Sequence, residues 1–343
     1  MSKKVSVIIP TRNEEQFIVE TLESVLGQDY PSSLLEVIIA DGDSDDNTPK
    51  LIQGVIEKFP NVILINNPER VVPFALNYAI NKATGDFIIR MDSHSIYPEN
   101  YISTLVKESE NLKADNVGAR VVTHPANNGL VATGIAAAIS HPLGVGNSSF
   151  RLKGKESQEV DTVPFGCFPS TLFKKIGLFD TDLIRNQDDE FNGRIIKNGG
   201  KIFLVPNLEI EYYARGTISK LMKMFYQYGL FKPLVNSKLG SAATLRQFAP
   251  PAFFLFLMVG LLVPVMGFYF QVLWLASLLF YVCVNLLVSF KLAISNSKYR
   301  MVLILPLIFP LIHISYGYGY LKGFVLVNFL RKNPGGQNFA TSR

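Results

Sequence analysis

Three clusters of acidic side chains carry the chemical content of this sequence. In Arg90-Met91-Asp92-Ser93-His94 a carboxylate and an imidazole stand two residues apart, just after an apolar run. At a strand end both can reach one divalent ion, and that donor pair suits Mn²⁺ better than Ca²⁺. A diphosphate leaving group needs such a cation, because negative charge grows on it as its bond breaks. Alone, Asp-x-His is a common chance pattern. The second cluster is Asn186-Gln187-Asp188-Asp189-Glu190-Phe191, with Arg194 following on a helical pattern. Adjacent carboxylates raise each other's proton affinity, which suits a base that takes a proton from an attacking hydroxyl. A helix start enriched in acids for dipole reasons explains the same residues equally well. The third cluster, Asp41-Gly42-Asp43-Ser44-Asp45-Asp46-Asn47-Thr48, has carboxylates at alternating positions like a calcium loop. An EF-hand loop needs Gly where Asp46 stands and Glu where Ile52 stands, so that reading is excluded. Asp45 or Asp46 serves to cap a helix from Thr48. Asp41, the first residue off a strand, can accept a hydrogen bond from a nucleobase imide.

The elements that must position these residues are legible from periodicity. Short β-branched runs at Val5–Ile9, Val37–Ala40, Val62–Ile65 and Phe87–Met91 alternate with helical patterns at Glu14–Leu26, Thr48–Lys58 and Val72–Lys82. Such alternation predicts a mixed, mainly parallel α/β sheet with helices on both faces. Ligands of these sheets bind at the carboxyl ends of the strands, where Pro10, Asp41 and Asp92 all fall.

The 343 residues carry a net charge of +5, and 48% are hydrophobic; mean hydropathy is +0.22. No acidic residue follows Glu211, while Lys and Arg continue to the end. A basic rear beside apolar runs points to anionic lipid headgroups, and the front half lacks the aromatic-interleaved basic patch of a nucleic-acid binder. Cys167 and Cys283 have no metal-ligand spacing and read as buried small hydrophobes. The apolar run after Lys4 is too short for a signal peptide, so the front domain is expected in the cytosol.

From Phe248 to Phe290 there is no charged residue, enough for two spans of about 20 residues each, turning near Pro264 and Gly267. The run Met301–Val327 is broken by Pro306, Pro310, His313 and Lys322; as a simple third span it would put the basic tail outside, and as a re-entrant or interfacial segment it would keep the tail in the cytosol. A loop with Lys291, Lys298 and Arg300 returns to the cytosol under the positive-inside rule. A helix pair buried in a soluble core would seldom run so far without a charge. Between the halves, Thr217–Leu239 sets Leu221, Met224, Phe225, Tyr228 and Phe231 against Lys220, Lys223, Lys232 and Lys238, as an amphipathic helix on an anionic surface does. The plainer alternative is a domain-packing helix. Gly317-Tyr318-Gly319 with Gly323 lacks the strand–helix setting of a dinucleotide fingerprint and fits close helix packing better. His124, His141 and His313 are isolated and read as structural.

Taken together, Pro10-Thr11-Arg12-Asn13-Glu14-Glu15, the Asp41-Gly42 turn, Gly85-Asp86 leading to Asp92-Ser93-His94, and Gln187-Asp188 with Arg194 resemble the family 2 glycosyltransferases of GT-A fold. The resemblance covers about residues 5 to 215 and is nearest to bacterial exopolysaccharide glucosyltransferases of the succinoglycan-synthesis type. It implies that Pro10, Thr11 and Glu14 line a nucleoside pocket, that Asp41 holds uracil, and that Arg70 belongs to the same donor pocket. It implies Asp92 and His94 for Mn²⁺ or Mg²⁺ and the diphosphate. Asp188, six residues before Arg194, is implied as the catalytic base, with Asp189 as rival. Gly166 resembles the small-residue loop under the acceptor; Gln187, Arg215 and Gln227 fall in the acceptor and diphosphate region. Two residues depart from the pattern: Gln187 replaces the usual Glu and His94 the last Asp of Asp-x-Asp. There is no Gln-x-x-Arg-Trp, the mark of processive synthases, and the only tryptophan is Trp274 in an apolar run.

The expectation is therefore a GT-A domain over 1–215, amphipathic interfacial helices over 216–247, membrane helices over 248–330 and a basic tail over 331–343. The implied reaction is inverting, non-processive transfer from a nucleotide diphosphate sugar, UDP-glucose first, to a polyprenyl-linked saccharide at the cytoplasmic face of the cell membrane. Membrane lipids are expected partners, nucleic acid is not, and a homo-oligomer is left open. The alternatives are a polyprenyl-phosphate glycosyltransferase and a non-catalytic membrane scaffold.

Overall fold

A computed structural model describes residues 3–146, 148–151, 156–242 and 244–336. The end of the basic tail, including Arg343, lies outside these residues. In chain order the first elements are β1 (Val5–Thr11), α1 (Ile18–Leu26), β2 (Leu35–Asp41), α2 (Thr48–Ile56), β3 (Val62–Asn66), α3 (Val72–Lys82) and β4 (Phe87–Arg90). Then follow α4 (Tyr101–Leu112), β5 (Asn116–His124), α5 (Leu130–Ile139), α6 (Pro142–Val145), β6 (Gln158–Glu159), β7 (Cys167–Pro169), α7 (Ser170–Ile176), α8 (Gln187–Lys197) and β8 (Ile202–Tyr213). Four helices complete the described chain: α9 (Ile218–Leu239), α10 (Ala249–Gly260), α11 (Phe268–Ser295) and α12 (Leu305–Phe324).

The chain divides into two compact units. Among the described residues, the first comprises 3–122 and 156–212 and the second 123–151 and 213–336. The division differs from the sequence expectation, which kept residues 123–151 with the front domain. The apolar helix α5 is the reason, since its Gly134 lies against Ile304 and Ile308, both of the second unit.

In the first unit an eight-stranded sheet runs in the order β3-β2-β1-β4-β7-β5-β8-β6. Strands β1 to β4 are parallel, and β7 enters antiparallel beside β4. Every residue of β1 and β4 is buried. A strand covered on both faces needs apolar side chains pointing both ways, which is why these segments read as continuous runs. Each fully buried Ile or Val there contributes about 1.5–3 kcal/mol. The strand order changes direction at β1, with β2 on one side and β4 on the other, and a crevice at the carboxyl ends follows from that topology.

Helix α1 begins at Ile18, later than the expected Glu14, because Glu14 to Phe17 form a turn in which the N–H groups of Phe17 and Ile18 donate to the Glu14 carbonyl. That turn frees the Glu14 side chain to face the strand ends.

The second unit is helical. At Gly229, Gly319 and Gly323 a Cβ would stand 2.1, 2.2 and 2.1 Å from the carbonyl oxygens of Tyr316, Tyr226 and Leu230. The backbones of α9 and α12 therefore meet directly, which only small residues permit. Helix α9 is consequently buried along much of its length, Lys232 included, instead of lying flat with one apolar face covered. The charge-free stretch from Phe248 does not form two equal spans. It forms the short α10 and the long α11, and among the described residues α11 alone is long and apolar enough to cross a membrane. Its side chains are mostly exposed, with Asn285, Ser289 and Ala293 the buried ones. Cys283 lies on that exposed surface, not in a core as its sequence setting suggested; Cys167 is buried in β7. His313, within 2.7 Å of the Leu143 carbonyl and 2.9 Å of the Tyr281 hydroxyl, ties three segments of this unit together.

Candidate active site

The carboxyl ends of β1, β2 and β3 align Thr11 with Asp41 and Asp41 with Asn66. Asp41 is the last residue of β2 and is buried. Its two oxygens accept from the Ser44 N–H at 3.0 Å and the Ser44 hydroxyl at 2.6 Å. Around it, Thr11 Oγ1 and Asn67 Oδ1 are buried without a protein partner. Orphaned polar atoms at a strand end are costly unless a ligand or water satisfies them. Pro10 precedes Thr11 in β1, buried with it.

The loops after β1 and β2 are fastened to each other. The N–H groups of Asn13 and Glu14 donate to the hydroxyls of Ser44 and Thr48, at 2.9 and 2.7 Å, and the Asp45 N–H donates to Asn13 Oδ1 at 3.0 Å. Asp46 accepts from the N–H of Thr48 at 2.9 Å and of Glu15 at 3.2 Å. Burial opposes ionisation of Asp46, but these donors prevail and hold its carboxyl below the usual range. Arg70, at φ +61°, pairs with Asp43 across this rim. Both side chains are exposed, so the pair is worth little stability and either partner is available to a ligand.

Strand β4 leads into the Asp92–His94 cluster. The Asp92 N–H donates to the Tyr97 hydroxyl at 2.6 Å, and Tyr97 packs on Tyr101 with ring centroids 4.9 Å apart. Burial pushes both phenols well above their usual pKa, so they stay neutral and rigid. His94 Nε2 lies 3.0 Å from Asp92 Oδ2, and Nδ1 lies 3.4 Å from Glu14 Oε1. A 3.0 Å separation is the edge of a coordination octahedron with bonds of about 2.1 Å. A metal-binding imidazole also turns its second nitrogen to a carboxylate, the relation His94 has to Glu14. Among the described residues no three His, Cys, Asp or Glu side chains gather around one point. Two protein ligands suffice where substrate phosphates supply the rest. The residues fit a divalent cation of the Mg²⁺ or Mn²⁺ kind.

The acidic cluster around Asp188 sits at the start of α8. Asn186 adopts a left-handed φ of +61° before the helix, and Asp188, Asp189 and Glu190 occupy its first turn, where the dipole favours them. Phe191 fixes the helix by stacking on Phe179 at 4.5 Å and Phe173 at 5.3 Å. Arg194 clamps Glu190 with two bonds of 2.8 and 2.7 Å and donates to the carbonyls of Ile176 and Leu178. Gln187 is buried at the first position. Asp188 forms an ion pair with Arg90 of β4. Desolvation raises the Asp188 pKa; Arg90 opposes this, while the charges of Asp189 and Asp92 add to it, and the net shift is upward. Asp188 keeps 30% of its side chain exposed and so remains open to an acceptor.

Under the Asp188 pair, the Arg90 N–H donates to the Gly166 carbonyl at 3.0 Å, and its guanidinium lies 5.4 Å from the Phe165 ring centroid. A Cβ at Gly166 would stand 1.8 Å from Asn116 Oδ1. Asn116 donates to Asn192 of α8 at 2.7 Å, and Asn192 donates to the Val163 carbonyl at 3.0 Å. Residues 163–166 are thus locked between β4, β5 and α8. The structure gathers Thr11, Glu14, Asp41, Asp92, His94, Gly166 and Asp188 at one edge of the first unit. Asp41 is two strands from β4, about 10 Å by strand spacing. Arg215 and Gln227 belong to the second unit, Arg215 half-buried before α9 and Gln227 buried within it. Sequence reasoning gave no role to Arg90, Tyr97, Asn116 or Asn192. Arg90 alone carried a hint, as a charge inside an otherwise apolar strand.

Known proteins resemble this chain along most of its length. The family model for glycosyl transferase family 2 matches residues 6–178. A dolichyl N-acetyl-α-D-glucosaminyl phosphate 3-β-D-2,3-diacetamido-2,3-dideoxy-β-D-glucuronosyltransferase of Methanococcus voltae is 30% identical, covering 94% of this chain and 98% of its own. The succinoglycan biosynthesis protein ExoA of Rhizobium meliloti is 29% identical over 72% of this chain and 74% of its own. Among solved structures, the mannosyltransferase PcManGT of Pyrobaculum calidifontis, in complex with GDP-Man and Mn²⁺, superposes with a TM-score of 0.58. It is 20% identical and covers 94% of this chain and 88% of its own, a likeness of fold.

Proposed function

The chain belongs to the family 2 glycosyltransferases, and from that premise we propose that it transfers one sugar, with inversion, from a UDP-sugar to a lipid-linked saccharide. Transfer occurs at the cytoplasmic face of the membrane, to which α11 and its neighbours anchor the protein. The observation that carries this reading is the placing of Asp92 and His94 just beyond the carboxyl end of β4, whose last residue, Arg90, pairs with Asp188. The unpartnered Thr11 and Asn67 atoms beside Asp41 suit a nucleoside. The lipid-linked acceptor is favoured by the dolichyl-linked acceptor in the name of the Methanococcus relative and by the apolar second unit.

In the reaction, Asp188 takes the proton of the acceptor hydroxyl as its oxygen attacks the anomeric carbon, and the bond from that carbon to the nucleoside diphosphate breaks. A divalent cation on Asp92 and His94 supplies neutralisation of the departing diphosphate. Glu14 orients His94, and Tyr97 holds the Asp92 backbone in place. Asp188 works as the carboxylate, so its upward-shifted pKa places the acid limb of kcat above the ordinary carboxylate value of about 4.

Asp188→Asn is expected to lower kcat by about 10²–10⁴-fold while donor binding persists. Full activity in that variant would overturn the base assignment and favour a scaffold. Thermal shift with UDP-glucose, a UDP-uronic acid and GDP-mannose, with and without Mn²⁺, identifies the donor, because a ligand of the native state raises the melting temperature. A bare polyprenyl phosphate sufficing as acceptor would favour the polyprenyl-phosphate reading.

A further inference from the structure

Arg90 is the one cation in the apolar strand β4, and only 5% of it is exposed. Burying an unpaired guanidinium so deeply is costly, and a side chain at that depth is retained only with partners. Its partners are few and all belong to the site. Nη1 pairs with Asp188 Oδ1, the plane lies against the Phe165 ring, and Nε is buried with no partner at all. Its backbone N–H holds Gly166. A residue kept for stability alone would have every nitrogen bonded, as Arg194 has on Glu190 and two carbonyls. Arg90 instead gives one nitrogen, Nη1, to one oxygen of one carboxylate.

We propose that Arg90 is the positioning residue of the base: its guanidinium holds Asp188 by Oδ1 and turns Oδ2 toward the acceptor hydroxyl. The proposal rests on Asp188 being the base. The charged groups that act on Asp188 are Arg90 from β4, Asp189 from its own helix and Asp92 from the loop after β4. Desolvation and the two acids favour the protonated form, and Arg90 opposes them. The ring of Phe165, at φ +51°, excludes water from one side of the guanidinium and strengthens its hold on the carboxylate.

The test compares Arg90→Met, Arg90→Lys and Asp188→Asn in the full-length membrane protein, with kcat, donor KM and donor affinity measured across pH. Arg90→Met is expected to lower kcat by about 10²-fold with donor KM within about threefold of wild type. Without the cation the Asp188 pKa rises further, so the acid limb of kcat moves up by about 1–3 pH units. Arg90→Lys restores the charge but not the fork, and should recover about tenfold of the lost kcat and most of the shift. An Arg90→Met protein with wild-type kcat and acid limb, beside an inactive Asp188→Asn, would overturn the role of Arg90 and leave the base intact. Activity in Asp188→Asn would overturn the base itself. If Arg90→Met does not fold, Arg90→Lys decides: an unmoved kcat and acid limb count against fork-directed positioning, and a loss in kcat at unchanged donor affinity supports it.

Discussion

At Gly166 a Cβ would stand 1.8 Å from Asn116 Oδ1, and Asn116 is held in turn by Asn192 of α8. Gly166→Ala must displace that amide, so it is expected to destabilise the first unit by about 1–3 kcal/mol and to lower kcat, because residues 163–166 also seat Arg90. Thermal unfolding and initial rates check this, and an unchanged melting temperature would contradict the packing described. At this scale the sequence was partly readable. Asp188 stood out by its distance from Arg194, and the structure gives that spacing a cause: Arg194 anchors the helix through Glu190, and Asp188 falls on the turn before it. The partner of Asp188 was not readable, since Arg90 lies 98 positions away and no local period links them. Glu14 was expected to line a nucleoside pocket, and its carboxylate instead lies beside His94.

Among the elements, β1 to β4 and α3 were legible because each is a short apolar run or a clean amphipathic period bounded by Pro, Gly or Asp. Helix α9 was legible in extent but not in setting. Its lysines suggested a surface, whereas the glycines that bring α12 against it lie about 90 residues further on, and a contact between distant helices leaves no periodic trace. Gly319→Val tests that contact. The atom its Cβ would meet is a backbone carbonyl at 2.2 Å, which has no rotamer to escape into. Purified in detergent, the variant is expected to unfold at a lower temperature by several degrees or to aggregate, from a loss of at least about 1–3 kcal/mol. A wild-type melting curve would mean that α9 and α12 are further apart than described.

For the whole molecule, the 28 residues of α11 extend about 42 Å, more than the roughly 30 Å hydrocarbon layer requires. The protein should therefore stay in the membrane fraction after alkaline carbonate extraction, and replacing residues 268–295 with a polar linker should release it. Release of the intact protein by carbonate would contradict a spanning α11. Hydropathy located the apolar region and the chain does turn at Pro264 and Gly267, but the helix before that turn has only 12 residues, too few for a span. A single feature of the first unit bears on how the enzyme tolerates change. Asp92 and His94 follow directly on β4 and Arg90, which pairs with Asp188, ends it, so the proposed cation site and the hold on the proposed base share one bracket. Sliding that strand carries both together and preserves their spacing; tilting α8 moves the base alone. Sequence drift that shifts the sheet should cost the rate little, whereas a small rotation of the helix at Phe191 or Arg194 should detune it.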